Sequence, residues 1–213
     1  MHRRAMPVLL VAFLALAKRA DAQPELPLVD AVPFEAVKAN VVAVLSKLED
    51  LGVPLSEETA EKVRAALRVG DVEALLALQR LLDPHCLVGV TINPESRVKA
   101  ARGQARAALK KGKPSYFLIK VQNDAGVTQA LALTSPQLIR SDGRTSDDRW
   151  LKAAIVPTSP ATARLNGREL EYVIVRLQTD QSGKREANLI FDVGQGTQDL
   201  GFRAEVPILF TIE

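Results

Sequence analysis

From Gly183 to Glu213 the chain reads GKREANLIFDVGQGTQDLGFRAEVPILFTIE, and apolar and polar residues alternate along it twice. Ala187, Leu189, Phe191 and Val193 form the first apolar series, and Val206, Ile208, Phe210 and Ile212 form the second. A period of two places each series on one face of a β-strand. The Gly/Gln/Asp segment between them reads as a turn. Two such strands cannot bury their apolar faces alone, so the chain must supply others. Leu170 to Gln178 is one, with Tyr172, Ile174 and Arg176 on one face and Val173, Val175 and Leu177 on the other. The pattern predicts a β-sandwich with the Gly183–Glu213 hairpin as its last element.

Further strands are predicted from Cys86 onward. Leu87 to Ile92 ends at Asn93-Pro94, Arg97 to Arg102 follows, and Ala105 to Leu109 leads into the turn Lys110-Lys111-Gly112-Lys113-Pro114. Tyr116 to Val121, Val127 to Leu133 and Trp150 to Val156 complete the set. Val127, Ala130 or Leu131, and Leu133 are the inward candidates of their segment. Ser135 to Asp148 and Pro157 to Gly167 read as loops. Seven to nine strands between turn signals is the signature of a sandwich.

Before Cys86 the period is helical. Phe34, Val37, Val41, Val44, Leu48 and Leu51 form one stripe, with Pro33 at its start and Gly52 and Pro54 at its end. Ser56 caps a second helix with the stripe Ala60, Val63, Ala66 and Leu67, which stops at Gly70. Asp71 caps a third, carrying Val72, Leu75, Leu76, Leu78, Leu81 and Leu82 and ending at Asp83-Pro84. The fold class expected is therefore α+β. Residues 34–84 form a short segment of about three helices and residues 86–213 an antiparallel sandwich.

Residues 1–22 read as a signal peptide. Arg3 and Arg4 precede the apolar run Ala5 to Ala17, which is too short to span a bilayer. Ala20-Asp21-Ala22 supplies small residues for cleavage after Ala22, and no cysteine follows for a lipid anchor. Residues 23–33, with Pro24, Pro27 and Pro33, would then be an extended leader. The expected location is secreted or periplasmic, with no membrane attachment after cleavage.

Cleavage removes Arg3, Arg4, Lys18 and Arg19 together with Asp21. The 28 basic and 25 acidic side chains of the whole chain become 24 and 24. The basic balance belongs to the signal peptide, so it gives no reason to expect a nucleic-acid partner. Cys86 is the only cysteine, which excludes a disulfide framework and favours a buried thiol.

Leu109 to Gly126, LKKGKPSYFLIKVQNDAG, resembles the linked strands of immunoglobulin-like bacterial accessory domains. The sandwich is therefore expected to be immunoglobulin-like. Three stretches, CLVGVTINPESRV from Cys86, FLIKVQNDAGV from Phe117 and FDVGQGTQDLGFRAEVPILF from Phe191, are similar to a second group. These are the N-terminal, non-catalytic regions of secreted bacterial proteins related to CehA/McbA-type metallohydrolases. The resemblance implies an accessory module working beside a separate catalytic chain, and it carries over no catalytic residue.

The residues themselves offer little chemistry, and the chain is expected not to be an enzyme. After cleavage His85 is the one histidine, so His85-Cys86 lacks the further ligands of a zinc site. No Gly-x-Ser-x-Gly elbow is present for a serine hydrolase. Asp192 to Asp199 has oxygen ligands but neither the spacing nor the carboxylates of an EF-hand, and it reads first as a hairpin turn. Gly194-x-Gly196 lacks the lysine of a phosphate loop. No metal or cofactor is expected.

One run stands out: Arg97, Lys99, Arg102, Arg106, Lys110, Lys111 and Lys113, with no acid between Arg97 and Lys113. It fits an anionic polymer, and equally the outward row of an exposed strand pair that discourages aggregation. Trp150, Tyr116 and Tyr172 are too few for a sugar-stacking platform and read as core. The expected function is a secreted, non-catalytic binding or structural module, acting through its sandwich surface on a protein or an extracellular polysaccharide. A Ca²⁺-dependent carbohydrate binder and the accessory metallohydrolase module are the alternatives.

Overall fold

A computed structural model of the chain describes residues 25–139, 146, 148–158, 164–194 and 200–213. The expected signal peptide and most of the turn after Asp192 lie outside the described residues.

Among the described residues three helices come first. α1 (Phe34–Asp50) starts at Pro33 and ends where Gly52 takes a left-handed φ of 70°. α2 (Glu57–Val69) is capped by Ser56 Oγ, which accepts from Thr59 N at 3.2 Å, and Gly70 closes it with φ 81°. α3 (Val72–Leu82) is capped by Asp71, whose carboxylate accepts from Ala74 N at 2.7 Å. A 3₁₀ turn, Asp83–His85, leads into the strands. The buried stripe of α2 is Ala60, Val63, Ala66 and Leu67, as its spacing predicts. In α3 the stripe is rotated: Val72 is exposed, and Ala74 and Gln79 are buried beside Leu75, Leu78 and Leu82.

Among the described residues nine strands follow: β1 (Cys86–Ile92), β2 (Val98–Arg102), β3 (Ala108–Leu109), β4 (Ser115–Asn123), β5 (Ala132–Thr134), β6 (Lys152–Val156), β7 (Leu170–Gln178), β8 (Gly183–Asp192) and β9 (Arg203–Ile212). They form a five-stranded sheet in the order β2-β1-β4-β7-β6 and a four-stranded sheet in the order β3-β9-β8-β5. The closing hairpin pairs β8 with β9 in antiparallel register from Gly183↔Ile212 to Asp192↔Arg203. All eight of its predicted inward residues are buried. They pack against Val88, Val90, Ile119, Val121, Val175 and Leu177 of the other sheet.

The α+β architecture is thus the one expected, a helical segment followed by a sandwich. Its pairing is mixed, however, because β1 pairs with β4 and β3 pairs with β9 in parallel. A parallel pair needs a long crossover. Here the chain between β1 and β4 supplies it by leaving the first sheet for the second and coming back. The crossing is made at Gly103, whose N–H donates to Leu87 O at 2.9 Å. A β-carbon there would lie 2.2 Å from Cys86 O, so only glycine lets the backbones approach. This crossing shortens the predicted Ala105–Leu109 strand to two residues. The predicted Val127–Leu133 strand is also replaced at its start. Asn123 Oδ1 accepts from Val127 N at 3.0 Å and Asn123 Nδ2 donates to Val127 O at 2.8 Å, where a strand partner would have stood.

The helices share a core with the five-stranded sheet. Val37, Val41 and Val44 of α1 and Leu75, Leu78 and Leu82 of α3 lie with Cys86, Leu118, Tyr172 and Ile174. β4 and β7 are therefore covered on both faces, by helices on one and by the second sheet on the other. Asn40 fixes α1 on β7, since its amide accepts from Tyr172 N at 2.6 Å and donates to Tyr172 O at 3.0 Å. Among the described residues no helix is long and apolar enough to cross a membrane.

Candidate functional site

The seven basic residues of the Arg97–Lys113 run do not form one row. Arg97 stands at one end of the sandwich, its guanidinium 5.8 Å from the centre of the Phe202 ring. Lys99 is exposed on the outer face of β2. Arg102 is half-buried and structural: its guanidinium donates to the carbonyls of Leu87, Gly103 and Ala105. Burial lowers its pKa. Arg106 is exposed and pairs with Glu213 at 2.9 Å.

Lys110, Lys111 and Lys113 come together with two lysines from outside the run. The turn between β3 and β4 is tied to the β7–β8 turn, since Gly112 N donates to Thr179 O at 2.8 Å and Lys111 bridges Thr179. Thr179 Oγ1 donates to Trp150 O at 2.8 Å, which brings the start of β6 alongside. Lys152 pairs in register with Gln178, and Lys184 pairs with Thr211. Lys110, Lys111, Lys113, Lys152 and Lys184 are all exposed at this end of the sandwich, with Asp180 and Glu213 as the nearby acids. None of the five ammonium groups makes an ion pair or hydrogen bond with a described residue. Sequence order hid Lys152 and Lys184, because only strand pairing places them beside the Lys110–Lys113 turn.

A polar cluster lies buried between the helices and the sheet. Lys120 Nζ is 2.8 Å from Asp83 Oδ2, and Tyr172 Oη is 3.3 Å from Asp83 Oδ1. Burial pushes the Asp83 carboxyl up, against the opposing hydrogen bond from Lys120. Cys86 is fully buried, its Sγ donating to Leu82 O at 3.5 Å. Burial, and then the Asp83 charge, raise its thiol well above the ordinary range, which keeps it protonated and inert. His85 faces elsewhere, into a cleft of about 310 Å³ beside Leu48, Leu55, Tyr116 and Phe117. Its burial lowers the imidazole pKa and favours the neutral form. The two adjacent residues therefore sit in separate environments.

Glu171 is a second buried acid, 2% exposed, beside Tyr172 in β7 and on the other face of that strand. Both carboxylate oxygens accept from Asn166 N at 3.1 Å. Burial raises its pKa to about 7, against the Asn166 N–H and the Arg168 charge. Among the described residues no three His, Cys, Asp or Glu side chains come together as a metal site. Asp192 Oδ1 accepts from Gly194 N at 2.7 Å, and residues 195–199 lie outside the described residues. Trp150 and Tyr172 are core residues; Trp150 meets Phe210 edge to face at 6.2 Å.

Comparison with protein-family profiles and with curated protein sequences finds no match. Among solved structures the chain is similar to the ASH / PapD-like domain of human CEP192 (PapD-like domain 7). That likeness has 9% sequence identity and a TM-score of 0.30, and it covers 61% of this chain and 86% of that one.

Proposed function

We propose that the chain is an exported, non-catalytic binding module whose lysine-rich end grips an anionic extracellular polysaccharide. The five lysines around Thr179 carry this reading. Without residues 1–22 the basic and acidic side chains balance, so a cluster of five cations with no ion pair among the described residues is a local feature and not a bulk one. Like charges gathered on one end repel one another, and a polyanion relieves that repulsion. Their exposure means the attraction is screened by salt, over about 8 Å at physiological ionic strength.

The test is retention on an anionic polysaccharide matrix as a function of salt. Lys110→Glu combined with Lys111→Glu should elute at clearly lower salt than the parent protein. Lys38→Glu combined with Lys62→Glu, on the helical layer, should not change elution. Parent-like retention of the first double variant refutes the proposal. Thermal melting with a panel of polysaccharides, with and without calcium, then names the ligand. A ligand at a hundredfold excess over its Kd adds about 2.7 kcal/mol of stability.

A further inference from the structure

The described part of the leader, Glu25 to Val32, forms neither helix nor strand, and it is not free. Glu25 to Val32 lies against β1, β4 and α3, and three contacts hold it in one register. Leu26 is buried above Gly89. Its Cδ2 lies 2.6 Å from where a β-carbon on Gly89 would stand, so a side chain there would push Leu26 from its present position. Pro27 O accepts from Lys120 Nζ at 2.7 Å. Val29 N donates to Gln79 Oε1 at 2.8 Å, and Val29 O accepts from Gln79 Nε2 at 2.6 Å. The Gln79 amide thus pairs with the Val29 main chain as a neighbouring strand would.

Leu26 is the buried side chain of the leader, with Val29 and Val32 half-buried against the helix core. Pro27 and Leu28 are exposed, while the Gln79 and Lys120 contacts go to main-chain atoms that other residues also carry. The seat is also incompletely filled. Beside Leu26 an apolar groove of about 270 Å³ continues over Gly89, Thr91 and Ala101, with Lys99 and Gln122 on its rim.

We propose that this is a peptide-receiving groove, filled by the chain's own leader until an extended segment of a partner protein replaces it. The partner segment carries a side chain larger than leucine, an aromatic one, at the Leu26 position. The open volume beside Leu26 gives that side chain contacts the leader does not make. Main-chain reading leaves the next two positions free. Withdrawal of the leader alone strands the side-chain oxygen of Gln79, a residue with 0% exposure, and removes one partner of Lys120. An incoming extended segment restores both sets of hydrogen bonds, so exchange is favoured over simple opening. The tethered leader competes at an effective concentration in the millimolar range, so weakening it should expose the site.

The experiment uses two fluorescent peptides, one with the sequence of residues 25–33 and one with the same sequence carrying Leu26→Trp. Polarisation is measured against the purified protein and its Leu26→Ala variant. The tryptophan peptide should bind the parent protein, and bind Leu26→Ala at least tenfold more tightly. The unaltered peptide should bind Leu26→Ala alone, and Gln79→Ala placed in that variant should weaken both by tenfold or more. A cooperatively melting Leu26→Ala protein that takes up neither peptide overturns the proposal. If Leu26→Ala does not melt cooperatively, a protease site placed over Asp30–Val32 and then cut takes its place. Failure of the labelled peptides to enter the cut protein is equally decisive against the proposal. Dimers formed by exchanged leaders, seen by light scattering without any response to the tryptophan peptide, would put a second copy in the groove and overturn the partner assignment.

Discussion

Replacing Glu171 by glutamine should make the protein more stable at alkaline pH, and the gain can be worked from the site. The carboxyl titrates at about 7 in the folded protein and near 4.5 when it is free. The folded state therefore holds a proton that the unfolded state gives up between those two values. Stability falls as pH rises through that window, and the loss is complete above the folded pKa. A difference of about 2.5 pH units at 1.36 kcal/mol each is about 3 kcal/mol. The glutamine side chain would keep the size of the original and an oxygen to accept from Asn166 N, and it cannot ionise. Subtracting the two proteins cancels every other titrating group, Asp83 included. The assay is urea unfolding of parent and variant at several pH values from 4.5 to 8.5. Fluorescence of Trp150, the only tryptophan and a buried one, is the readout. The stability difference should move in favour of Glu171→Gln by about 3 kcal/mol across that range, most steeply between pH 5 and 7. A difference curve that stays flat to within about 1 kcal/mol, or slopes the other way, would show that the folded site does not penalise the carboxylate.

Two further perturbations test the packing around the candidate sites. Lys120→Met leaves Asp83 as a buried, unpaired carboxylate and should lower unfolding free energy by about 3–5 kcal/mol, while adding Asp83→Asn should recover much of the loss; a single variant within about 1 kcal/mol of the parent would refute the pairing. Gly103→Ala forces a β-carbon onto Cys86 O and should cost at least about 1–3 kcal/mol. Gly52→Ala, with nothing within 4 Å, meets only the left-handed penalty of about 1–2 kcal/mol. Equal melting temperatures for Gly103→Ala and the parent would remove the steric argument for that crossing.

The parts of the fold that follow from one segment's own periodicity were legible. Ala187 to Val193 and Val206 to Ile212 specify their buried face without reference to any neighbour, and the structure buries all eight predicted residues. The stripe of α2 and the caps at Ser56 and Asp71 are local in the same sense. What depends on a distant partner was not legible. The parallel pairing of β1 with β4 is decided by a crossing at Gly103, and nothing in Gly103 itself announces Cys86 O beside it. Three of the five lysines of the lysine-rich end were visible in the Lys110–Lys113 turn. Lys152 and Lys184 were not, because strands separated by dozens of residues bring them there.

Gln79, Lys120 and Glu171 share a property that links the hidden part of the site to the fold. Each is a polar residue at a position whose neighbours on the same face are buried: Gln79 with Leu75, Leu78 and Leu82, Lys120 with Leu118, Glu171 with Val121 across its strand pair. Pattern reading assigns such residues to the surface, because a lone polar residue costs least there. Gln79 and Lys120 are buried here because the helices and the leader add a third layer over a sheet that already has one covered face, whereas Glu171 lies on the sandwich face of β7 with Val173 and Val175. The third layer explains why β4 and β7 are apolar on both faces. It also creates the need for internal partners, which Asp83, the Pro27 carbonyl and the Val29 main chain meet. Two of those three partners belong to the leader. Gln79 and Lys120 are therefore the residues that make the leader part of the fold, and a chain without it would have to fill the same hydrogen bonds from outside.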